Sequence, residues 1–253
     1  MSRKKLIVTA IILALVLLIG GILAYFTDVQ TKTNTFKMGN VDIVVDEGDF
    51  PDEGQSNVMP GMEFVKSPKV INMGTTPVYA FVEVTIPFDT VNIETDAANA
   101  PKTERELFDL LKITNTETGA TTKGINAGWK SVNFEGSTET TTGSGIYVKR
   151  TPESATVTTR GTNTYVFAYV GTGTTLKALE GKANSEAEKG EETNTLFDKI
   201  RFIDVKENDP ENSTIQNKPF DVVVSGYGIQ TTELGLSGED ATNPEKVWPL
   251  VKK

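Results

Sequence analysis

The chain has neither cysteine nor histidine among its 253 residues. Without cysteine there is no disulfide and no thiolate nucleophile, so the fold must rest on a packed core. Without histidine there is no Ser-His-Asp triad and no imidazole general base. The His-Glu-x-x-His zinc motif is excluded too, and a zinc site would have to be made of carboxylates alone, outside the usual ligand sets. A Ser-Lys or paired-carboxylate enzyme stays formally open, but spacing alone locates no such pair. No metal or other cofactor is expected. Positive charge is also scarce, with 25 Lys+Arg against 34 Asp+Glu, a formal net charge of −9 and a pI near 4.8. Arg3, Lys4 and Lys5 lie ahead of any acid; without them 22 cations face 34 anions, a net of −12. No Lys/Arg-rich stretch follows, and this sign argues against nucleic acid or anionic lipid as a partner.

What the chain does have is one long apolar run. Leu6 to Phe26 carries no charge and follows the basic start Met1-Ser2-Arg3-Lys4-Lys5. At 1.5 Å per residue it makes about 31 Å of helix, enough for a bilayer core of about 30 Å. Two readings fit. A retained anchor suits the length, because a secretory h-region usually runs to about 7–15 residues. A cleaved signal suits Gly20-Gly21, which weaken the helix near its end, and Ala24, a small residue directly before Tyr25; Ile22 is larger than the −3 position prefers. In either case the basic end stays inside and the acidic remainder is exported.

Beyond residue 26 the pattern is almost wholly β. Phe36 and Met38 lead into Val41, Ile43 and Val45, with Gly39-Asn40 offering a turn or bulge. Met59-Pro60-Gly61 reads as a turn. Strands are predicted over 62–72 and 77–87, joined by 72–76. In the second, Val78, Ala80, Val82, Val84 and Ile86 form one apolar face, opposite Tyr79, Phe81, Glu83 and Thr85. Further strands are predicted over 129–134, 145–150, 164–170, 196–205 and 219–230, separated by Thr/Gly/Ser-rich loops. One segment departs from this: over 101–113, Thr103 and Glu106 have capping-box spacing, and Leu107, Leu110 and Leu111 share a helical face. A short amphipathic helix packed on a sheet is predicted there. No fixed repeat and no linker marks a second domain. The expected fold is all-β, a jelly-roll-like two-sheet sandwich with one short amphipathic helix, behind an N-terminal signal helix.

Three groupings invite a functional reading, each beside a plainer one. Asp46, Glu47, Asp49, Asp52 and Glu53 offer hard oxygens for Ca²⁺, but their spacing does not fit the D-x-[DN]-x-[DN]-G loop, which favours a solvated acidic surface. Trp129 and Trp248, with Tyr147, Tyr165 and Tyr169, would suit a sugar-binding face; aromatics on strands are more often core. Asn212-Ser213-Thr214 matches a glycosylation sequon.

The stretch "LAYFTDVQTKTNTFKMGNVDI" resembles the junction of exported proteins processed by the SipW-type signal peptidase, the TasA/camelysin group of Gram-positive bacteria. The pattern is an Ala-ended signal, then aromatic-Phe-x-Asp, then Asn-Thr-Phe and a Gly-led alternating strand. Tyr25, Phe26, Asp28, Asn34, Thr35, Phe36, Gly39, Val41, Asp42 and Ile43 supply it here. "VMPGMEFVKSPKVINMGTTPVYAFVEV", "TNTLFDKIRF" and "FDVVVSGYGIQT" resemble later strands of the same group. The resemblance implies a cut between Ala24 and Tyr25, with residues 1–24 as signal peptide and 25–253 as a single β-sandwich domain. It implies membrane contact only before the cut, and a secreted product at the cell surface or in the biofilm matrix. Some relatives carry a metallopeptidase label; with neither His nor Cys to hold zinc, this chain is not expected to be an enzyme.

The expected function is that of a structural subunit assembling into fibres with copies of itself, and with other matrix or surface components. Donor-strand exchange would use residues 25–45, with Phe26, Phe36, Val41, Ile43 and Val45 as anchors. The plainer reading of 36–45 is the subunit's own first strand. A monomeric adhesin or carbohydrate-binding surface module is the alternative function.

Overall fold

Residues 40–50, 58–97, 100–133, 141–142, 145–146, 149–184, 186–206, 215 and 219–251 are described by the computed structural model. The chain enters through β1 (Ile43–Asp46), β2 (Glu63–Val65) and β3 (Lys69–Asn72), then the long β4 (Val78–Val91). Next come β5 (Thr103–Glu106), β6 (Phe108–Asn115), β7 (Ala120–Lys123) and β8 (Trp129–Ser131). Two short strands, β9 (Thr141–Thr142) and β10 (Gly145–Ile146), pair with each other. β11 (Lys149–Pro152), β12 (Gly161–Tyr169), β13 (Ala178–Leu179), β14 (Lys199–Phe202) and β15 (Val223–Gln230) follow, and helix α1 (Pro244–Val251) comes last.

Strand β4 organises the molecule. On one edge it pairs with β12 and β13, on the other with β15 and β5, all antiparallel. β8 and β11 extend this sheet along the far edge of β12. A second sheet runs β2-β14-β6-β7, and β1 pairs with β3 as a separate two-stranded ribbon. The alternation predicted for 78–86 holds. Val78, Ala80, Val82, Val84 and Ile86 are fully buried and meet Leu110, Ile200 and Phe202 of the second sheet, with Tyr165 and Phe167 beside them. Tyr79 and Phe81 face the other way and are covered by Val247 and Trp248 of α1. A central strand buried on both faces explains why even its second face is aromatic. Each fully buried apolar side chain contributes about 1.5–3 kcal/mol. The class is the expected one, an all-β sandwich.

The helix predicted over 101–113 is instead two strands, β5 and β6, around a fully buried Leu107. β5 pairs with the end of β4, setting Glu106 opposite Phe88 and Thr103 opposite Val91. β6 is held between β14 and β7. The Glu106 carboxylate accepts from Tyr165 Oη and, at 3.0 Å, from Asn163 Nδ2, rather than returning to cap Thr103. Available strand partners on both sides override a local helical preference. The predicted strand 62–72 is split into β2 and β3 by the stretch around Pro68, and Met59-Pro60-Gly61 turns as expected, closed by Met62 N–H donating to the Met59 carbonyl at 3.2 Å.

Helix α1 was not expected, although its start is legible. Asn243 accepts the Glu245 N–H on Oδ1 at 3.0 Å, Pro244 opens the helix and Glu245 lies in its first turn. An N-cap residue, a first-position proline and an early acid form a standard start signal.

Candidate functional site

Ala24, Tyr25, Phe26 and Phe36 lie outside the described residues, as do the apolar run 6–26, Asp52, Glu53, Tyr147 and the sequon at 212–214. Among the described residues no helix is long and apolar enough to cross a membrane. Val41, Ile43 and Val45 are described. Val41 is exposed just ahead of β1, while Ile43 and Val45 lie in β1, opposite Asn72 and Val70 of β3. Ile43 and Val45 point at Gly226 and Gly228 of β15, and Ile43 joins the main core. These two side chains therefore pack within the subunit's own fold, while residues 36–39 of the segment 36–45 lie outside the described residues.

Next to β1 the two layers part. A groove of about 930 Å³ opens between the end of β1 with its following loop (residues 44–50) and the segment 219–224 that leads into β15. Its floor is Phe64, Phe108, Ile200 and Val224, drawn from β2, β6, β14 and β15. Phe50, Phe220 and Val222 continue the apolar wall, and Val44, Val58 and Val223 are exposed along it. Among the described residues β1 pairs only with β3, and β15 only with β4. Each thus has one edge without a paired strand among the described residues. Unpaired backbone beside an apolar trough is the local requirement for adding a strand.

The charged groups of the groove are few. Lys66 is buried, with 4% of its side chain exposed, and its Nζ donates to Glu47 Oε2 at 2.6 Å. The ammonium also sits 4.1 Å from the centre of the Phe50 ring. Ser67 N–H donates to the Glu47 carbonyl at 3.2 Å, so the loop after β1 is tied to the chain after β2. Asp46 accepts the Gly48 N–H at 2.9 Å and lies 3.5 Å from Lys69, which also reaches Glu192 at 3.4 Å. A hydrogen bond from Lys189, aided by Lys69, holds Glu192 below the ordinary carboxylate range. Asp221, on the opposite wall, is exposed.

Asp46 and Glu47 of the acidic loop are thus engaged by lysines, and among the described residues no group of three or more carboxylates is placed to hold a metal. The aromatic sugar-face reading also loses its surface. Trp129, Trp248, Tyr165 and Tyr169 are all buried, Trp129 edge-on to Tyr169 and Trp248 against Phe81 and Tyr227. These four are core residues.

Fold and groove together define an all-β sandwich module with an open cleft beside β1, lined by apolar side chains and by Asp46, Glu47, Lys66 and Asp221. Residues 3–104 match the family model described as camelysin metallo-endopeptidase, which bears out the resemblance to the TasA/camelysin group across β1 to β4 and into β5. No curated protein matches the chain. The match spans 102 of the 253 residues, less than half of the chain. The family description implies a metal, and the donors present do not fit one: the whole chain lacks His and Cys, and the described carboxylates do not converge.

Proposed function

We propose that this protein is a secreted structural subunit of a cell-surface or matrix fibre, released by a SipW-type signal peptidase cutting between Ala24 and Tyr25. The freed segment 25–39 then adds as a strand to the groove of the next copy. The observation that carries this reading is the groove itself, with apolar side chains on its floor and flanked by β1 and β15, each of which has one edge unpaired among the described residues. Ladder hydrogen bonds to such an edge give affinity, and alternate side chains fill the trough. Phe26 and Phe36 are the donor anchors in this scheme. Val41, Ile43 and Val45 form the root from which the donor leaves, since Ile43 and Val45 are engaged with β15 of their own subunit. Before the cut, the apolar run 6–24 tethers the donor and blocks its transfer.

Mass spectrometry of the exported protein tests the cut, with a start at Tyr25 expected and an intact N-terminus counting against it. Sedimentation and electron microscopy of the mature chain, with and without residues 25–35, test assembly. Fibres are expected from the complete mature chain only, and equal polymerisation of both forms would overturn the donor role.

A further inference from the structure

The groove is charged unevenly. Asp46 and Glu47 stand on one wall and Asp221 on the other, against Lys66 alone among the cations that line it. Glu47 already engages Lys66 at 2.6 Å, and Asp46 shares Lys69 with Glu192. Asp221 is exposed and pairs with no cation among the described residues. The rim is therefore left net negative over an apolar floor. The segment 25–39 has the opposite sign, with Lys32 and Lys37 against Asp28, and a cut before Tyr25 adds an α-amino group. The remainder, 40–253, carries 20 cations and 33 anions.

We infer that the groove selects its occupant by charge, taking residues 25–39 of a second copy because Lys32 and Lys37 meet the acidic rim of Asp46 and Asp221. This rests on the strand-acceptor reading above and adds what discriminates among strands. Backbone pairing and an apolar floor accept any extended apolar segment, whereas like charge at a rim penalises the wrong one. Two copies with acidic bodies repel at a distance, so the basic leader is the part of one copy suited to approach the rim of another.

The test is elongation of preformed seeds by mature monomer, followed by light scattering and electron microscopy. K32E/K37E and D46K/D221K are compared with wild type and with the protein carrying all four changes. D221K alone is included because the Asp221 side chain is exposed and has no ion-pair partner among the described residues, so this change spares the fold even if D46K disturbs the Gly48 turn. Each reversal is expected to slow elongation about tenfold or more, and the fourfold variant to return to within about threefold of wild type. A synthetic peptide of residues 25–39 is expected to inhibit wild-type elongation, more weakly at high salt, and its Lys-to-Glu form to be inert. Reversals that elongate at the wild-type rate, or a fourfold variant as slow as its parents, would overturn charge selection and leave the groove reading standing. A wild-type chain that neither elongates nor responds to the peptide would overturn both.

Discussion

Val45 of β1 occupies the space that a side chain at Gly226 of β15 would need: a β-carbon at 226 would lie 2.3 Å from Val45 Cγ2. Two residues on, a β-carbon at Gly228 would lie 2.7 Å from Ile43 Cγ2. The period-two spacing of both pairs shows one strand lying in a notch along another, which seats β1 in the sandwich and forms one wall of the groove. Gly226→Ala is therefore expected to destabilise the fold by about 1–3 kcal/mol through overpacking. The V45A/G226A double variant should lose less than the sum of the two single changes, because the smaller residue vacates the contested space. Urea unfolding of the four proteins measures this coupling; strict additivity would mean that β1 is not held by the notch.

Asn72 is fully buried at the end of β3 and knits three segments together. Its Nδ2 donates to the carbonyls of Thr76 and Leu179 at 2.9 and 3.0 Å, and its Oδ1 accepts the Gly74 N–H at 2.9 Å. Asn72→Ala leaves the Thr76 and Leu179 carbonyls without this donor and the Gly74 N–H with the Asp42 carbonyl at 3.0 Å as its remaining partner, and a cost of about 1–3 kcal/mol is expected. Hydrogen exchange should show reduced protection around residues 72–76, whereas a change confined to a lowered global midpoint would argue against a local knot.

How far the sequence foretold this depends on distance along the chain. The two faces of β4 were legible because alternation within one strand needs no partner to be seen. The segment 101–113 was not, because Leu107, Leu110 and Leu111 satisfy a helical face as well as they satisfy strands. Only the pairing of Glu106 with Phe88 and of Leu110 with Ile200, both remote in sequence, decides between them. Helix α1 is legible from Asn243-Pro244-Glu245, but this start signal is only three residues long and follows a strand-rich pattern that outweighs it. The groove could not be read at all. Its Phe50, Phe64, Phe108, Ile200 and Phe220 come from five separate stretches, and each alone looks like an ordinary core residue.

Acid should loosen the turn that follows β4. Asp96 accepts the Ile93 N–H at 2.9 Å and the Arg105 guanidinium at 3.0 Å, and these partners hold its carboxyl below the ordinary 3.8. A carboxylate with a depressed folded-state pKa stabilises fully above its unfolded value, and this contribution is lost as the pH falls through the folded value. Asp96→Asn is therefore expected to be less stable than wild type at neutral pH, with the gap closing below about pH 4. Thermal unfolding across pH 2.5–7 checks this, and a gap that does not change with pH would show that the Asp96 charge, held by the Ile93 N–H and Arg105, contributes nothing to stability.

The Lys66–Glu47 pair should respond unequally to loss of either partner. Lys66 has only 4% of its side chain exposed, whereas Glu47 has 32%. Lys66→Met keeps the stem that lines the groove and leaves only Glu47 unpaired, which water can reach. Replacing the buried cation by an apolar side chain of similar length is expected to cost under about 1 kcal/mol. Glu47→Gln instead leaves an ammonium in the groove wall, beside the Phe50 ring, with no carboxylate paired to it among the described residues. Solvent can partly compensate from the open side, so a loss of about 1–3 kcal/mol is expected, short of the full cost of a deeply buried broken pair. The double variant K66M/E47Q should resemble K66M, because once the cation is gone the glutamate has no buried charge to neutralise. Equilibrium unfolding at low and high salt orders the three. If K66M were the more damaging single change, the ammonium itself, and not its need for a partner, would be what holds the loop after β1 in place.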